Sequence, residues 1–562
     1  MALTGCVYDR YAPENCPSNG KYYMSFTLQS TGNAGSASTK AAPGTFDGET
    51  VAEQLVSRVD LYFYDAYGGF LEKKTVSSFA QEVAVDKTES VSGKVGDFTV
   101  ELSYRPYKML VVLNQTADFT GLSLPAARSL KQEKSTDYCG GSVSVNYKEG
   151  GIDKAMDITP FFMNSASYLT ASGNEVCETP IPEFYLKETE SQALSNPFPV
   201  YVERMAAKVT VESAQTQFMV PLVTPQGNVT AKVELLGWGL NALNRFSYYF
   251  KKVNPAWSWA SWTWNSPAQK RSYWAQDPNY LSAENNPGLV QLSDAATVEP
   301  DAPYRYLKPS DITAAFGSSL YCLENTADAD ALPVSDSDAA TLFSRATHVL
   351  VKARLSFDLS GGTDDAGYTV PNADIFRYKG VFYTKTSLLA ALRTDAGLTV
   401  ADDDDLELVS AAGQAYCKGY DKGERVALRQ ISTGTVLPLL DSGEPVRIDG
   451  FKKGEFYYKI PVEHINNEAV TGTTYPVGRY GVVRNHRYVI TLDSRLDGIG
   501  TGIWDDSYDI RPFRKPEEYR VSAYVKVSPW LEFTQKFLFV DPRGVLLNMG
   551  QQVEEEHVDW WE

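Results

Sequence analysis

The 562-residue sequence has no uninterrupted run of about 18 apolar residues, the length a membrane-spanning helix requires, so no such helix is expected. Histidine is scarce, with four in the whole chain, and none of the six cysteines forms a CxxC pair. A zinc site and a His-based catalytic centre are therefore poorly supported. No GxSxG elbow presents a nucleophilic serine. A surplus of positive charge is also missing: the formal charge is −18. That argues against nucleic acid as a partner, whose phosphates need a basic face, and suits a soluble or extracellular protein that avoids adhering to other surfaces. No catalytic residue, metal-ligand set or cofactor is assigned, and the chain reads as a non-enzyme.

What is present is apolar and aromatic residues in short runs. The hydrophobic fraction is 43% and the aromatic fraction 12%, including 34 Tyr. These fill real cores and favour strands, and the length points to two domains. Val59–Asp65 (VDLYFYD) reads as a strand followed by a Tyr67-Gly68-Gly69 turn, and Lys108–Asn114 (KMLVVLN) as a central strand buried on both faces. Phe98–Leu102 alternates, and Val200–Val211 reads as one long strand. Ala231–Leu236, His348–Phe357, Phe456–Ile460 and Arg487–Leu492 are further strands. Helices are expected only at Ser123–Leu130 and Lys385–Asp395, both peripheral. Many short strands between Gly, Pro, Asn and Asp clusters argue for β-sandwich domains.

The composition shifts at about 213–225, which places a domain boundary there, and a loose stretch, Asp497–Glu518, separates the second domain from the C-terminal strand. The expected units are 1–40 (leader and first strand), 41–213, 214–515 and 516–562.

The two ends carry the functional signals. Leu3-Thr4-Gly5-Cys6 is similar to a bacterial lipobox, which would make Cys6 the lipidated residue, although Met1 and Ala2 alone precede it here. If Cys6 is acylated, at least one of the other five, Cys16, Cys139, Cys177, Cys322 and Cys417, lacks a partner in the chain; the sequence fixes no pairing. Tyr22–Leu28 alternates as a half-buried strand. The Gly-, Ser- and Ala-rich loop 31–48 follows, and Lys40 is its one basic residue. It reads either as a plain linker or as a maturation site cut between Lys40 and Ala41, which would free the strand before it.

At the C-terminus, Val521, Ala523, Val525 and Val527 alternate with polar residues, Pro529-Trp530 interrupts, and the pattern resumes at Leu531 and Phe533. Pro529 lacks an N–H, so the segment reads as a strand in two pieces. It is either the last strand of the second domain or a donor strand that adds to another subunit. Four to six large side chains buried at roughly 1.5–3 kcal/mol each would supply on the order of 10 kcal/mol before ordering costs. Loss of the first strand would expose unpaired edges that template such an addition.

Other features have blander readings. The Trp257, Trp259, Trp262, Trp264 and Trp274 cluster reads as packing beneath an insertion, with a sugar platform as the alternative. Asp402–Asp405 lacks the spacing of a Ca²⁺ loop and reads as a solvated turn.

Several segments together resemble the fimbrillins of Bacteroidales type V pili, most closely the Mfa-type major subunit of short fimbriae. They are Lys108–Asn114, Glu203-Arg204-Met205-Ala206-Ala207-Lys208-Val209, Trp238–Asn241 with Asn244 and Ser247-Tyr248, Arg271–Tyr280, Tyr321–Thr326, Tyr480–Ile490 and Val525–Trp530. The ordered set spans nearly the whole chain. The resemblance implies two tandem transthyretin-like β-sandwich domains, all-β, with a C-terminal donor-strand segment. It implies export to the outer membrane as a lipoprotein, removal of the first strand by a surface protease, and homopolymerisation with anchor and tip subunits, in adhesion or biofilm formation. The family's Arg-specific cleavage position corresponds to Ser38–Ala42, where Lys40 stands in place of Arg and calls for a trypsin-like protease. A tip or anchor position in the same pilus and a surface glycan-binding lipoprotein are the alternatives.

Overall fold

The computed structural model describes residues 20–30, 50–83, 94–132, 138–169, 175–252, 275, 277–278, 304–326, 346–357, 374–396, 406–410, 426–434, 436–437, 440–441, 444–445, 448–462, 481–496, 498–504, 506, 510, 526–529 and 532–539. Over these the chain is mostly strand, arranged in two β-sandwich bodies.

The first body is built on one eight-stranded sheet. Its strands and close neighbours are β1 (Tyr22–Ser30), β2 (Val59–Tyr64), β3 (Phe70–Val76), β4 (Glu82–Val83), β5 (Lys94–Leu102), β6 (Lys108–Leu113), β7 (Val143–Glu149), β8 (Ile152–Ile158), β9 (Met163–Ser165), β10 (Thr179–Pro180) and β11 (Phe198–Arg204). The order is β3-β2-β6-β9-β11-β1-β5, with β10 also on β6. Short helices α1 (Val51–Gln54), α2 (Leu124–Ser129) and α3 (Glu190–Leu194) lie around it. Strands β2 and β6 are central because both their faces are apolar. Val59, Leu61, Phe63, Met109, Val111 and Leu113 enter the inner core. Tyr62, Tyr64, Leu110 and Val112 point the other way, under Phe119, Phe250 and α2. The expected turn follows β2: Asp65 Oδ1 accepts the N–H groups of Tyr67 and Gly69, both at 2.8 Å, and Gly68 takes φ 87°. A small sheet, β4-β7-β8, covers α1 through Leu55, Val83, Val145, Tyr147 and Ile158.

The second body contains β12 (Ala206–Ser213), β13 (Gln217–Thr224), β14 (Gly227–Asn241), β15 (Ser319–Leu323), β16 (His348–Phe357), β17 (Glu455–Pro461), β18 (His486–Leu496), β19 (Thr501–Gly502), β20 (Lys526–Pro529) and β21 (Glu532–Phe539). One five-stranded sheet runs β15-β12-β18-β20 with β21 also on β18; the other runs β13-β14-β16-β17-β19. Val209, Val211, Tyr488 and Ile490 of the first pack against Val233, Val351, Leu355 and Phe456 of the second. The helix expected near residue 385 is present as α4 (Lys385–Ala396), and its Leu388, Leu389 and Leu392 are buried.

Three expectations change. The single strand Val200–Val211 is two strands in different sheets, β11 and β12, and the chain passes from one body to the other at the fully buried Met205. That passage precedes the 213–225 stretch where composition shifts. The mixed stretch 214–228 is a β-hairpin instead: Phe218, Val220, Leu222 and Thr224 alternate inward, and Pro221 is tolerated because β13 is an edge strand. Part of the loose stretch from Asp497 is packed, since β19 pairs with β17 and Ile499, Ile503 and Ile510 are buried.

Candidate assembly site: the first-strand slot and the polar seam

β1 lies inside its sheet. It runs parallel to β11, from Phe26 opposite Phe198 to Ser30 opposite Val202, and antiparallel to β5, with Tyr22 opposite Leu102. Both of its backbone edges are therefore occupied. Met24 and Phe26 are completely buried. The Phe26 ring sits 5.5 Å from Phe98, 6.2 Å from Phe198 and 6.4 Å from Phe63, and Phe198 in turn packs on Tyr185 at 4.6 Å. On the opposite face Ser25 is buried and its hydroxyl donates to the Phe98 carbonyl at 3.4 Å. At the entrance Tyr23 and Lys187 exchange backbone hydrogen bonds of 2.8 and 3.0 Å. Taking β1 away would leave two unpaired strand edges around an apolar slot lined by Phe63, Phe98 and Phe198.

The two C-terminal strands pair within the same chain on β18. β20 meets it antiparallel at Pro529 opposite His486, and β21 runs parallel from Glu532 opposite Arg487 to Phe539 opposite Leu496. The pairing sense reverses between Pro529 and Glu532. Of the residues singled out in the sequence, Val527 and Pro529 fall in β20 and Phe533 in β21. Cys6, Lys40, Ala41, Val521, Ala523, Val525, Trp530 and Leu531 lie outside the described residues, as do the Trp257–Trp274 run up to its last member and Asp402–Asp405.

A buried polar seam joins the two bodies. Lys208 of β12 donates to both carboxylate oxygens of Glu53 on α1, at 2.8 and 3.1 Å, and the Tyr321 hydroxyl donates to the same carboxylate. Burial alone would raise the Glu53 carboxyl. The Lys208 ammonium, Tyr321 and the Thr50 N–H outweigh it and hold the group below the ordinary carboxylate range. Arg204 donates to the Glu53 carbonyl at 2.9 Å and to Asn485 Oδ1 at 3.4 Å. Asn485, at φ 59°, donates its N–H to the Ala206 carbonyl at 2.7 Å. Arg484 spans further: its Nε meets Glu324 at 3.2 Å, and its Nη atoms meet the carbonyls of Tyr249 at 3.0 Å and Tyr248 at 2.8 Å. Lys251 pairs with Glu203 at 3.3 Å, both fully buried, and burial exceeds that pairing and raises the Glu203 carboxyl. His486, pushed down to about 3 by burial and then by the nearby Lys251 charge, is neutral and donates Nδ1–H to the Arg484 carbonyl at 2.7 Å.

Buried ions persist only when paired and hydrogen-bonded, and here the pairing partners come from both bodies. The Glu203–Val209, Ser247-Tyr248 and Tyr321–Thr326 segments and the described part of Tyr480–Ile490, from Gly481 on, are far apart in sequence and all converge on it. Glu53 was missed by the sequence reading. Its signal was Thr50-x-x-Glu53, a capping box in which the Thr50 N–H donates to Glu53 at 2.6 Å. Among the described residues no group of His, Cys, Asp and Glu is placed to hold a metal ion, and no described helix is long and apolar enough to cross a membrane.

Residues 449–536 match the family model described as major fimbrial subunit protein type IV, fimbrillin, C-terminal. The match takes in β17, β18, the Arg484–His486 corner of the seam, and β20 with most of β21. Over residues 449–536 the chain is similar to the fimbrillins. A search of curated proteins returned no match. Among solved structures, this chain is similar to a FimA fimbrillin from Porphyromonas gingivalis W83, at 13% identity and TM-score 0.32 over 92% of this chain and 98% of that one. A cell adhesion protein from Parabacteroides distasonis matches at 10% identity and TM-score 0.34 over the same shares, 92% and 98%. The tip fimbrial protein Mfa3 of Porphyromonas gingivalis, truncated at its C-terminus, matches at 11% identity and TM-score 0.25 over 62% of this chain and 85% of that one. Identity and TM-score are low throughout, so the likeness to a known family rests on residues 449–536.

Proposed function

We propose that this fimbrial subunit builds the stalk of a surface fimbrium. In this reading it is exported as a lipoprotein through Cys6, cut between Lys40 and Ala41, and polymerised when the C-terminal segment of one copy enters the slot that β1 leaves in another. The observation that carries it is the interior position of β1. A strand paired on both edges, with Met24 and Phe26 fully buried, keeps the subunit closed, and its removal exposes two edges and an apolar pocket that another strand satisfies. The partners are then further copies of this chain, with anchor and tip subunits at the fibre ends and a trypsin-like protease as trigger. The role is structural.

The test is deletion of residues 520–562. The truncated chain, treated with trypsin, folds and forms no fibres, whereas the full chain treated the same way does. Fibres from the truncated chain, seen by electron microscopy, would refute donor-strand assembly.

A further inference from the structure

The chain crosses β1 on its way from β10 to β11. A single 3-10 turn, Glu183–Tyr185, ends at Leu186. Lys187 then pairs with Tyr23 through both of its backbone groups, at 2.8 and 3.0 Å. This is the edge of β1 that β11 occupies from Phe26 onward. Next comes α3, capped by Thr189, whose hydroxyl accepts the Gln192 N–H at 3.4 Å. α3 packs across β1 and β5. It does so on the face opposite Met24 and Phe26. Tyr23 and Ser25 alternate onto that face, and the Tyr23 hydroxyl, raised first by its bond to Glu101, is raised further by the Glu190 carboxylate of α3. Beneath α3, Ser25 is 2% exposed. Thr99 stands opposite Ser25 on β5 and buries a hydroxyl oxygen that has no hydrogen-bond partner. Of α3 itself Ala193 alone is buried. The hold on β1 from this side is therefore shallow: one alanine and one pair of backbone bonds. A buried hydroxyl left unpaired is unfavourable, and water satisfies Thr99 once α3 lifts.

We propose that residues 186–196 form a strap that must lift before a strand leaves or enters the slot, and that the seated strand must carry a small side chain at the position of Ser25. The inference rests on the strand-exchange reading. β11 and β5 flank β1 within the sheet, and the apolar core closes its inner face. The remaining ways out are through α3 or along the strand axis past the Lys187 bridge, and either displaces the strap. A side chain larger than Ser25 beneath α3 overpacks a site that is already closed. The slot thus reads both faces of its occupant. The inner face takes large apolar residues, as Met24 and Phe26 show. The outer face takes a small residue at Ser25 and, one position along that face, a donor to Glu101, the role Tyr23 fills at 3.1 Å. A strand that is bulky on both faces does not fit.

The experiment uses the full chain and two comparisons. In the first, Ser25→Leu is set against Ser25→Ala, with hydrogen exchange followed by mass spectrometry. The leucine variant is expected to exchange about tenfold faster or more over residues 186–196, with the second body unchanged and the alanine variant like the unsubstituted chain. The second comparison does not depend on the leucine variant folding. Lys187→Pro removes the N–H that bonds to Tyr23, whereas Lys187→Ala keeps it. Leu186 is extended, at φ −80° and ψ 118°, a conformation that a following proline permits. Both variants lack the basic residue at 187, so trypsin meets the same sites in each. Release of the fragment carrying β1, timed by intact mass, is expected to be about tenfold faster in the proline variant, the effect of one lost hydrogen bond. Strap exchange in a folded leucine variant equal to that of the unsubstituted chain, or equal release from the proline and alanine variants, overturns the strap and leaves the slot reading intact. Retention of β1 by the unsubstituted chain after cleavage strikes the strand-exchange reading itself, and the strap proposal falls with it.

Discussion

Lys208 and Glu53 face each other across the seam, ammonium to carboxylate at 2.8 Å, each at most 5% exposed in its side chain. Lys208 lies on β12, the first strand of the second body, and Glu53 on α1 of the first. The pair therefore ties the residue following the candidate cleavage loop to the strand that opens the C-terminal sandwich. α1 is held by this pair and by the β4-β7-β8 sheet, neither of which includes β1.

Breaking that pair from one side leaves an uncompensated buried charge. Glu53→Ala or Lys208→Met is expected to destabilise the protein by about 3–5 kcal/mol, and the double substitution by less than the sum of the two. Urea unfolding of the three variants checks this; additive single losses would mean the pair is not coupled.

Acid should weaken the fold in two stages. His348 is held at about 4 by burial and His486 at about 3, against about 6.5 unfolded. The unfolded chain binds more protons between these values, so stability is full above pH 6.5 and falls as the pH drops toward the folded values. The loss is about 2 kcal/mol per histidine between pH 6.5 and pH 5. Glu53, with a depressed carboxyl, adds a second loss as the pH falls below its unfolded value of about 4.3. Urea midpoints at pH 7, 6 and 5 report the first stage, and His348→Gln should flatten it.

Phe26 is the centre of the slot, ringed by Phe63, Phe98 and Phe198. Phe26→Ala is expected to cost about 3–5 kcal/mol and to raise hydrogen exchange in β1, β5 and β11 ahead of the second body. Equal exchange in all strands would place the weakness outside the slot.

Lys40→Ala removes the one basic residue between Lys21 and Arg58. Under brief trypsin treatment the variant is expected to keep β1 and remain monomeric, with intact mass as the readout. Cleavage elsewhere in 31–49, with fibres, would contradict the assignment of Lys40.

Much of the fold was legible because its strands obey local rules. Lys108–Leu113 is apolar on both faces and is central in the sheet; Tyr22–Leu28 alternates and β1 forms there. The break at Met205 was not legible, since Phe198–Ser213 is equally strand-forming on both sides of it, and the tertiary change of sheet leaves no mark in propensity. The hairpin at 217–241 was masked by Pro221 and Pro225, although Phe218, Val220 and Leu222 alternated in plain view. The seam was the least legible part. Glu203, Lys251, Glu324 and Arg484 are ordinary charged residues in sequence, and what sets them apart is that folding buries them together.

The central claim is that losing the first strand triggers assembly. Its most direct test is intact mass and N-terminal sequencing of the full chain after limited trypsin treatment, with the same sample imaged for fibres. The account predicts a new N-terminus at Ala41, release of the fragment carrying β1, and fibres. Clean cleavage at Ala41 with β1 released and the protein still monomeric would contradict it.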